Sequence, residues 1–255
     1  MIFVEVIRTI QTSWGDGMAT VWEWPRLHQG LVESQFYIQV GNLASVSPYT
    51  GQQTVYGPNF QRWIAKVVLP VKKGPDWREI SGLISRLRGQ NELVRMVDYY
   101  RMAPGYDVAV DATTALWSDS SYWDDLTGWD FGFMPPYVEV DEAAVRDART
   151  MVLRGFPASI STVLRLGDLG EVRPGGTKVD HGHLYEMTSN VNSDSSGKTR
   201  IYFEPGLRAP VVSGDMFVIR SPTSVFTLAT DSEGIIQRSI GNLGSIGLSF
   251  VEKLP

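Results

Sequence analysis

The fold is decided by one stretch of the chain, SPYTGQQTVYGPNFQRWIAKVVLPVKKGPDWREISGLISRLRGQNELVRMVD (residues 47–98). Within it, residues 61–69 alternate, with Trp63, Ala65 and Val67 on one side. Alternation with a period of two is typical of a half-buried strand. This segment therefore predicts a strand that buries one face in a core.

The period of the apolar residues changes after Pro70, which we expect to end the strand. Residues 75–88 carry an apolar stripe at helical spacing, made by Trp77, Ile80, Ile84 and Leu87 with Leu83 at its edge. Gly89 follows, and it suits the left-handed position that ends many helices. Residues 93–97 then predict a returning strand, so the whole stretch predicts a sheet with one helix packed on it.

The residues before this stretch, together with its own first residues, predict further strands of the same sheet. The first twelve begin with an alternation of Ile2, Val4 and Val6 against Phe3, Glu5 and Ile7, which predicts a strand. Residues 35–41 alternate in the same way, and residues 52–56 predict a short polar strand. Residues 14–29 are rich in Gly, Trp and Pro and predict a structured loop or arm. We expect deletion of this arm to leave a soluble subunit that assembles poorly.

The pattern of predicted elements changes after Asp98. Residues 137–140 predict a short strand, whereas residues 141–153 fit a helix as well as a strand. From residue 161 onward, short strands separated by turns predict a small barrel or sandwich. The last strand, residues 246–251, is expected to pair back on the first sheet, which makes this β module an insertion.

These elements predict a mainly β (α+β) chain in three parts. Residues 1–108 with 223–255 form a sheet domain with one packed helix. Residues 109–160 form an aromatic-rich linker. Residues 161–222 form the inserted barrel or sandwich.

The amino-acid composition limits the classes of protein to which this chain can belong. The 255 residues are 43% hydrophobic and 20% charged, which is ordinary for a folded domain. The net charge of −5 gives no electrostatic reason to expect a nucleic-acid partner. There is no cysteine, and no apolar run is long enough for a membrane span. The N-terminus lacks a signal-peptide pattern, so we expect synthesis and folding in a cytoplasm.

No motif in the sequence makes a strong case for catalysis or for metal binding. His181 and His183 share one face of a strand, but a zinc site needs a third ligand, which is not evident. Asn190, Asn192 and Asp194 are spaced like the start of a calcium loop, but the glycine and the closing carboxylate are misplaced, which favours a polar hairpin turn. We expect no catalytic residues, no metal and no cofactor.

The best place for a ligand or partner is the segment from Trp117 to Phe133, where aromatic side chains alternate with aspartates. A protein–protein interface, the core of the chain itself, and a sugar-binding cleft with two carboxylates all fit this composition. We favour the interface, because large aromatics serve as anchors there. The candidate interface residues of the chain are Trp14, Trp22, Trp24, Trp117, Tyr122, Trp123, Trp129 and Phe131.

The order of several short motifs resembles a known family. Trp22-Glu23-Trp24-Pro25 comes first, then Ser47-Pro48-Tyr49-Thr50-Gly51-Gln52, Leu69-Pro70, and Leu87-Arg88-Gly89. Further on come Leu166-Gly167-Asp168, His183-Leu184-Tyr185 and Ile201-Tyr202-Phe203-Glu204-Pro205-Gly206-Leu207-Arg208. This arrangement is similar to the minor tail proteins of tailed bacteriophages, of the distal-tail or baseplate type. The stretch from Trp117 to Phe133 departs from the simpler linker of that family.

The resemblance implies a structural virion protein of the tail that is assembled in the host cytoplasm. Its belt-like domain would form a ring, commonly a hexamer, at the end of the tail tube, and the inserted module would contact baseplate or fibre proteins. Another tail ring, such as an adaptor or nozzle, is a further alternative. A carbohydrate-binding module or glycoside-processing protein that uses the Trp117–Phe133 segment is the alternative from a different class.

Overall fold

The computed structural model describes residues 21–24, 31, 33–57, 60–72, 75–102, 104, 135–173, 182–233, 237–239 and 243–254. In chain order, the elements are β1 (Val21–Glu23), β2 (Glu33–Val40), β3 (Leu43–Val46), β4 (Gln53–Tyr56), β5 (Gln61–Lys72), α1 (Pro75–Leu87), β6 (Leu93–Val97), β7 (Tyr137–Val140), β8 (Thr150–Arg154), β9 (Leu169–Arg173), β10 (His183–Met187), β11 (Lys198–Glu204), β12 (Met216–Val218), β13 (Thr223–Leu228), β14 (Gln237–Ser239) and β15 (Leu243–Glu252). The predicted strand at residues 1–12 lies outside the described residues.

The chain is mainly β with one helix among the described elements, as the sequence predicts. It divides into two compact units, Met1–Tyr99 with Thr223–Pro255, and Tyr100–Pro222. The first unit holds a seven-stranded sheet in the order β1-β6-β13-β15-β5-β2, with β14 paired to β15 and with β3 and β4 as a separate pair. The second unit holds a closed barrel in the order β10-β11-β8-β7-β12-β9.

Strand β5 supplies the core of the first unit. The side chains of Trp63, Ala65 and Val67 are buried, as the alternation predicts. On the opposite face Lys66 is exposed but Ile64 is buried too, so this face is not open to solvent along its whole length. The C-terminal strand β15 pairs with β5 in antiparallel register, for example Phe250 with Ala65. The predicted return of the last strand to the first sheet is therefore confirmed.

Pro70 does not end β5, contrary to the prediction. The strand continues to Lys72, and the register between β5 and β15 shifts where Gly244 pairs with Lys72 and Ile246 with Leu69. Three steps of β5 therefore face two steps of β15. A proline has no N–H to give to a ladder, and a bulge is one of the places where a strand tolerates it.

Helix α1 spans Pro75–Leu87 and follows the predicted apolar stripe: Ile80, Leu83 and Leu87 are buried. It ends as expected, because Gly89 has a φ of 69°, in the left-handed region. Gln90 then donates its backbone N–H to the side chain of Asp231 at 2.9 Å. The end of the helix is thus tied to the turn that follows β13.

The segment predicted as a loop or arm, residues 14–29, contributes strand β1 to the sheet. Val21–Glu23 pairs in parallel with β6, with Trp22 opposite Val94. Three residues are too few for an alternation signal, and the flanking glycines and Pro25 masked the strand in the sequence.

The barrel takes two strands, β7 and β8, from the segment that the sequence assigned to the linker of residues 109–160. The helix considered for residues 141–153 is not formed. Ala144 and Val211 instead exchange backbone hydrogen bonds at 3.0 and 2.9 Å, and Asp147 donates to the carbonyl of Leu207 at 2.8 Å. Pairing with a distant segment has outweighed the helix propensity of the alanines.

Side chains fill the described interior of the barrel. Phe203 and Phe217 are among the large side chains buried there. Tyr185 packs edge-on against Phe203, with ring centroids 5.1 Å apart. The buried hydroxyl of Tyr185 accepts the backbone N–H of Arg208 at 3.0 Å. The interior is therefore a packed core, as expected for a barrel of this strand number.

Two turns of the barrel use the same pair of residues, a glycine and an aspartate. Asp168 accepts the N–H of Arg165 at 2.7 Å, and Asp215 accepts the N–H of Val212 at 2.9 Å. The glycine before each aspartate has a positive φ, 89° and 94°. Each aspartate thus holds its own turn closed and satisfies a backbone donor.

We expect Gly170→Ala to destabilise the barrel, because a methyl group at this position falls on the buried ring of Phe217. Overpacking of this kind costs about 1–3 kcal/mol. Chemical denaturation followed by circular dichroism measures the loss. Gly247→Ala is the matched control, because position 247 lies in a strand with open space around it. Equal stability of the two variants contradicts the packing seen here.

We expect Glu252→Leu to destabilise the sheet, because the buried carboxylate of Glu252 accepts the backbone N–H of Trp63 at 3.1 Å. A buried donor left without an acceptor costs about 1–3 kcal/mol. Glu252→Gln keeps a carbonyl oxygen in place and should lose less. Urea denaturation of both variants tests this order, and an equal loss contradicts it.

Candidate interaction surface

The candidate surface is built on a long hairpin. β2 and β5 pair over eight residue pairs, and the N–H of Gly41 donates to the carbonyl of Phe60 at 3.0 Å beyond the last of them. The chain then continues into β3 and β4, which pair only with each other. The β3–β4 hairpin, as we name residues 43–56, therefore extends the β2–β5 pair beyond the sheet.

A tight turn closes this hairpin at its tip. Ser47 donates its N–H to the carbonyl of Gln52, and Gly51 donates to the carbonyl of Ser47, both at 2.9 Å. Gly51 has a φ of 67°, which favours glycine there. Tyr49 at the tip is 96% exposed.

The β3–β4 hairpin carries apolar side chains that nothing in the described chain covers. Val46 and Val55 are 59% and 54% exposed and lie on one face with Ala44, whereas Tyr56 is exposed on the other face. An isolated two-stranded hairpin is at best marginally stable in water. Exposed apolar groups on such an element mark a surface that is suited to contact another molecule.

Cationic side chains cover two aromatic rings at the base of this hairpin. The guanidinium of Arg62 lies 5.3 Å from the ring centroid of Phe60, and the ammonium of Lys66 lies 5.8 Å from that of Tyr37. Arg62 also donates to Gln39 at 3.0 Å. These contacts fix the exposed rings on the outer face of the sheet.

The predicted interface residues fall into two groups. Trp24 is only 7% exposed and packs edge-on against Phe250, with centroids 5.6 Å apart, so its ring belongs to the core of its own unit. Trp22 is half-buried beneath the guanidinium of Arg86, 5.1 Å from the ring centroid. The other candidates, Trp14, Trp117, Tyr122, Trp123, Trp129 and Phe131, lie outside the described residues.

Sequence reasoning missed the apolar side chains of the β3–β4 hairpin. It predicted a short polar strand at residues 52–56, but strand β3 is too short for a clear alternation. The available signal was a pair of valines flanking a Pro- and Gly-containing turn. Exposure of a valine is a tertiary property, which the sequence does not report.

The polar residues that are spaced like a calcium loop bind backbone groups instead. Asn190 accepts the N–H of Leu166 at 2.9 Å, and Asn192 accepts the N–H of Thr162 at 2.8 Å. Asp194 accepts the N–H groups of Ser196 and Lys198, both at 2.8 Å. The described residues hold no cluster of three metal-ligating side chains; His183 lies in β10, and His181 is outside the described part.

An ion-pair network covers the outer face of three barrel strands. Arg154 contacts Glu139 at 2.7 Å and Asp141 at 3.8 Å, and Lys198 contacts Asp141 at 2.7 Å. Asp141 is largely buried, but Arg154, Glu139 and Lys198 are about half-exposed, so each pair contributes little to stability. Because the charges alternate, this face does not present one sign to a partner.

No protein-family model matches this chain, and no curated protein matches it either. Within the described residues, no helix has the length and apolar character that crossing a bilayer requires.

We expect Asp194→Asn to weaken the acid dependence of stability. Hydrogen bonds from the N–H groups of Lys198 and Ser196 hold the pKa of Asp194 below its ordinary value. A lowered pKa stabilises the fold above the ordinary value, and this stabilisation is lost as the pH falls through the lowered pKa. The stability of the variant should therefore fall less steeply than that of the natural chain as the pH drops below about 4. Thermal unfolding across that range measures the slope, and an unchanged slope contradicts the assignment.

Proposed function

We propose that this chain is a structural, non-enzymatic subunit that forms a ring at the distal end of a phage tail. In this role it connects the tail tube to the baseplate and host-recognition proteins. The observation that carries the proposal is the β3–β4 hairpin, which projects apolar side chains from a sheet edge without a packing partner in the described chain. The order of the motifs resembles that of distal-tail proteins, and this resemblance supports the phage tail as the location of the subunit.

A ring places specific demands on each subunit. Every copy must present one surface to the preceding copy and a different surface to the next, because a closed rotation joins unlike surfaces. A hairpin that projects from one edge of a sheet supplies one such surface. The apolar face of Val46 and Val55 would then be covered by a neighbour, which removes the cost of leaving it in water.

The inserted barrel fits the second half of this role. It has its own packed core, and the chain enters and leaves it at adjacent points, since the N–H of Ser221 donates to the carbonyl of Met102 at 2.6 Å. We propose that this module meets a different partner from that of the sheet unit. Baseplate or fibre proteins are the partners that the resemblance implies.

Val55→Lys should weaken ring assembly without changing the stability of the monomer. Loss of a buried valine and burial of a charge cost about 1.5 kcal/mol or more for each interface, which raises the concentration for assembly at least tenfold. Thr54→Lys is the matched control, because Thr54 is the adjacent exposed residue on the opposite face of the hairpin. Light scattering across a concentration series measures the native mass of each variant.

The same experiment tests the function. Discrete rings that bind isolated tail tubes in electron micrographs support the proposal. A monomer that binds no tube would contradict the proposal, and so would rings that assemble equally well in both variants. A monomer whose tryptophan fluorescence shifts with added sugars favours the carbohydrate-binding alternative instead. Deletion of residues 14–29 is a poorer test, because it also removes Trp24 from the core.

A further inference from the structure

We propose that the outer face of the β2–β5 pair binds an extended acidic segment of a partner protein, with Arg62 and Lys66 each taking one carboxylate. This surface, which we name the cationic strip, consists of Gln35, Tyr37, Gln39, Phe60, Arg62 and Lys66. Such binding goes beyond the proposed ring and does not depend on it. Three features support it: the register of the two strands, the charges of the strip, and the donor groups that the strip leaves unused.

The register of β2 against β5 brings the side chains of the strip onto one face of the sheet. Gln35 lies opposite Lys66, and Gln39 lies opposite Arg62. Directly opposed residues of an antiparallel pair point to the same side, and alternate residues of a strand share a face. Tyr37 therefore lies between the two pairs, and it is 41% exposed. Lys66 and both glutamines are exposed as well, so the strip is open to a partner.

The two cations of the strip are not neutralised by the described part of the chain. Arg62 contacts Gln39 and the ring of Phe60, and Lys66 contacts the ring of Tyr37, but neither forms an ion pair with a described carboxylate. Six other cations each contact a carboxylate, namely Arg95, Arg101, Arg149, Arg154, Arg173 and Lys198. The whole chain has a net charge of −5, so two uncompensated cations on one face are complementary to a negatively charged partner.

The one acidic side chain on the same face of β2 is already engaged. Glu33 shares this face with Gln35, because the two residues alternate along the strand. Its carboxylate accepts a hydrogen bond from the side-chain amide of Gln35 at 2.5 Å. Glu33 lies opposite Val68, one pair beyond Lys66, and forms no ion pair with that lysine. The ammonium of Lys66 is therefore left to an external carboxylate.

Arg62 has the geometry that a carboxylate requires. Its Nε donates to the side-chain oxygen of Gln39 at 3.0 Å. Its two terminal amino groups have no partner in the described chain, so they can hold both oxygens of one carboxylate. The guanidinium lies 5.3 Å from the ring centroid of Phe60, a contact that orients it in advance. The side-chain amino group of Gln39 adds a further donor beside it.

The spacing of the two cations favours an extended protein segment. Arg62 and Lys66 are four residues apart on β5, which is about 13 Å at about 3.3 Å per residue. Two acidic residues four positions apart in an extended segment have the same separation and point to the same side. An acidic polysaccharide fits less well, because stacking of sugar rings needs open aromatic faces. Here a cation lies over the ring of Phe60 and another over that of Tyr37.

Titration of the full chain with synthetic peptides, followed by nitrogen–proton correlation NMR, tests this binding. The probe is a short peptide of serine and threonine with glutamates at its third and seventh positions. We expect saturable shifts of the side-chain amide signals of Gln35 and Gln39 at low ionic strength, and weaker binding when salt is added. The same peptide with glutamines instead of glutamates should cause no shifts. Glutamates at the third and sixth positions should bind more weakly, because they point to opposite sides of an extended chain.

Variants of the two cations locate the site. Arg62→Gln and Lys66→Gln should each weaken peptide binding about threefold to fivefold, which is the upper range for one exposed ion pair. Arg62→Lys keeps the charge but loses the two-oxygen contact, so its affinity should lie between those of Arg62→Gln and the natural chain. Arg88→Gln is the matched control, because it removes an equal charge from an exposed position after α1 and should leave the affinity unchanged.

The outcomes that overturn the proposal are distinct. Absence of shifts with the glutamate peptide overturns it, as do shifts confined to other parts of the chain. Equal weakening in the Arg88→Gln variant also overturns it, because binding would then follow net charge alone. Stronger binding of polygalacturonate, an acidic polysaccharide, at the same strip overturns the choice of a protein as the partner.

Discussion

The antiparallel pairing of β6 with β13 is the constraint on which the rest of the structure depends. Val97, the last residue of β6, lies opposite Thr223, the first residue of β13, so the chain leaves the sheet and returns to it at neighbouring points. Everything between these two residues must fold without support from the sheet ladder. The closed barrel meets this condition, because a barrel that pairs its first and last strands has no open edge.

The same pairing fixes the order of the remaining strands. Once β13 lies beside β6, its other side is available to β15, and β15 in turn brings β5 and β2 into the sheet. At the end of the β15–β5 ladder, the carboxylate of Glu252 takes the N–H of Trp63 in place of a backbone carbonyl. A buried carboxylate is costly unless it is hydrogen-bonded, so this contact favours the register in which Glu252 reaches Trp63.

The two units differ in how they treat the unpaired edges of their sheets. The barrel closes on itself and carries alternating charges on the outer face of three of its strands. In the first unit β2 ends the order of the described strands, and it continues into a hairpin that exposes valines and tyrosines. Apolar side chains that stay in contact with water cost free energy, and contact with another chain would remove that cost. This difference between the two units is the physical basis for our proposal that the sheet unit carries the assembly surface.

The sequence by itself determined the elements with strong local signals. The alternation around Trp63 predicted β5, and the apolar stripe from Ile80 to Leu87 with Gly89 predicted α1 and its end. Only the tertiary structure decided the course of β5 through Pro70, the place of Val21–Glu23 in the sheet, and the pairing of Ala144 with Val211. It also decided that Trp24 is buried and Val55 is exposed. Periodicity reports which face of an element is apolar, but strand order and burial depend on contacts between residues far apart in the chain, which local sequence does not encode.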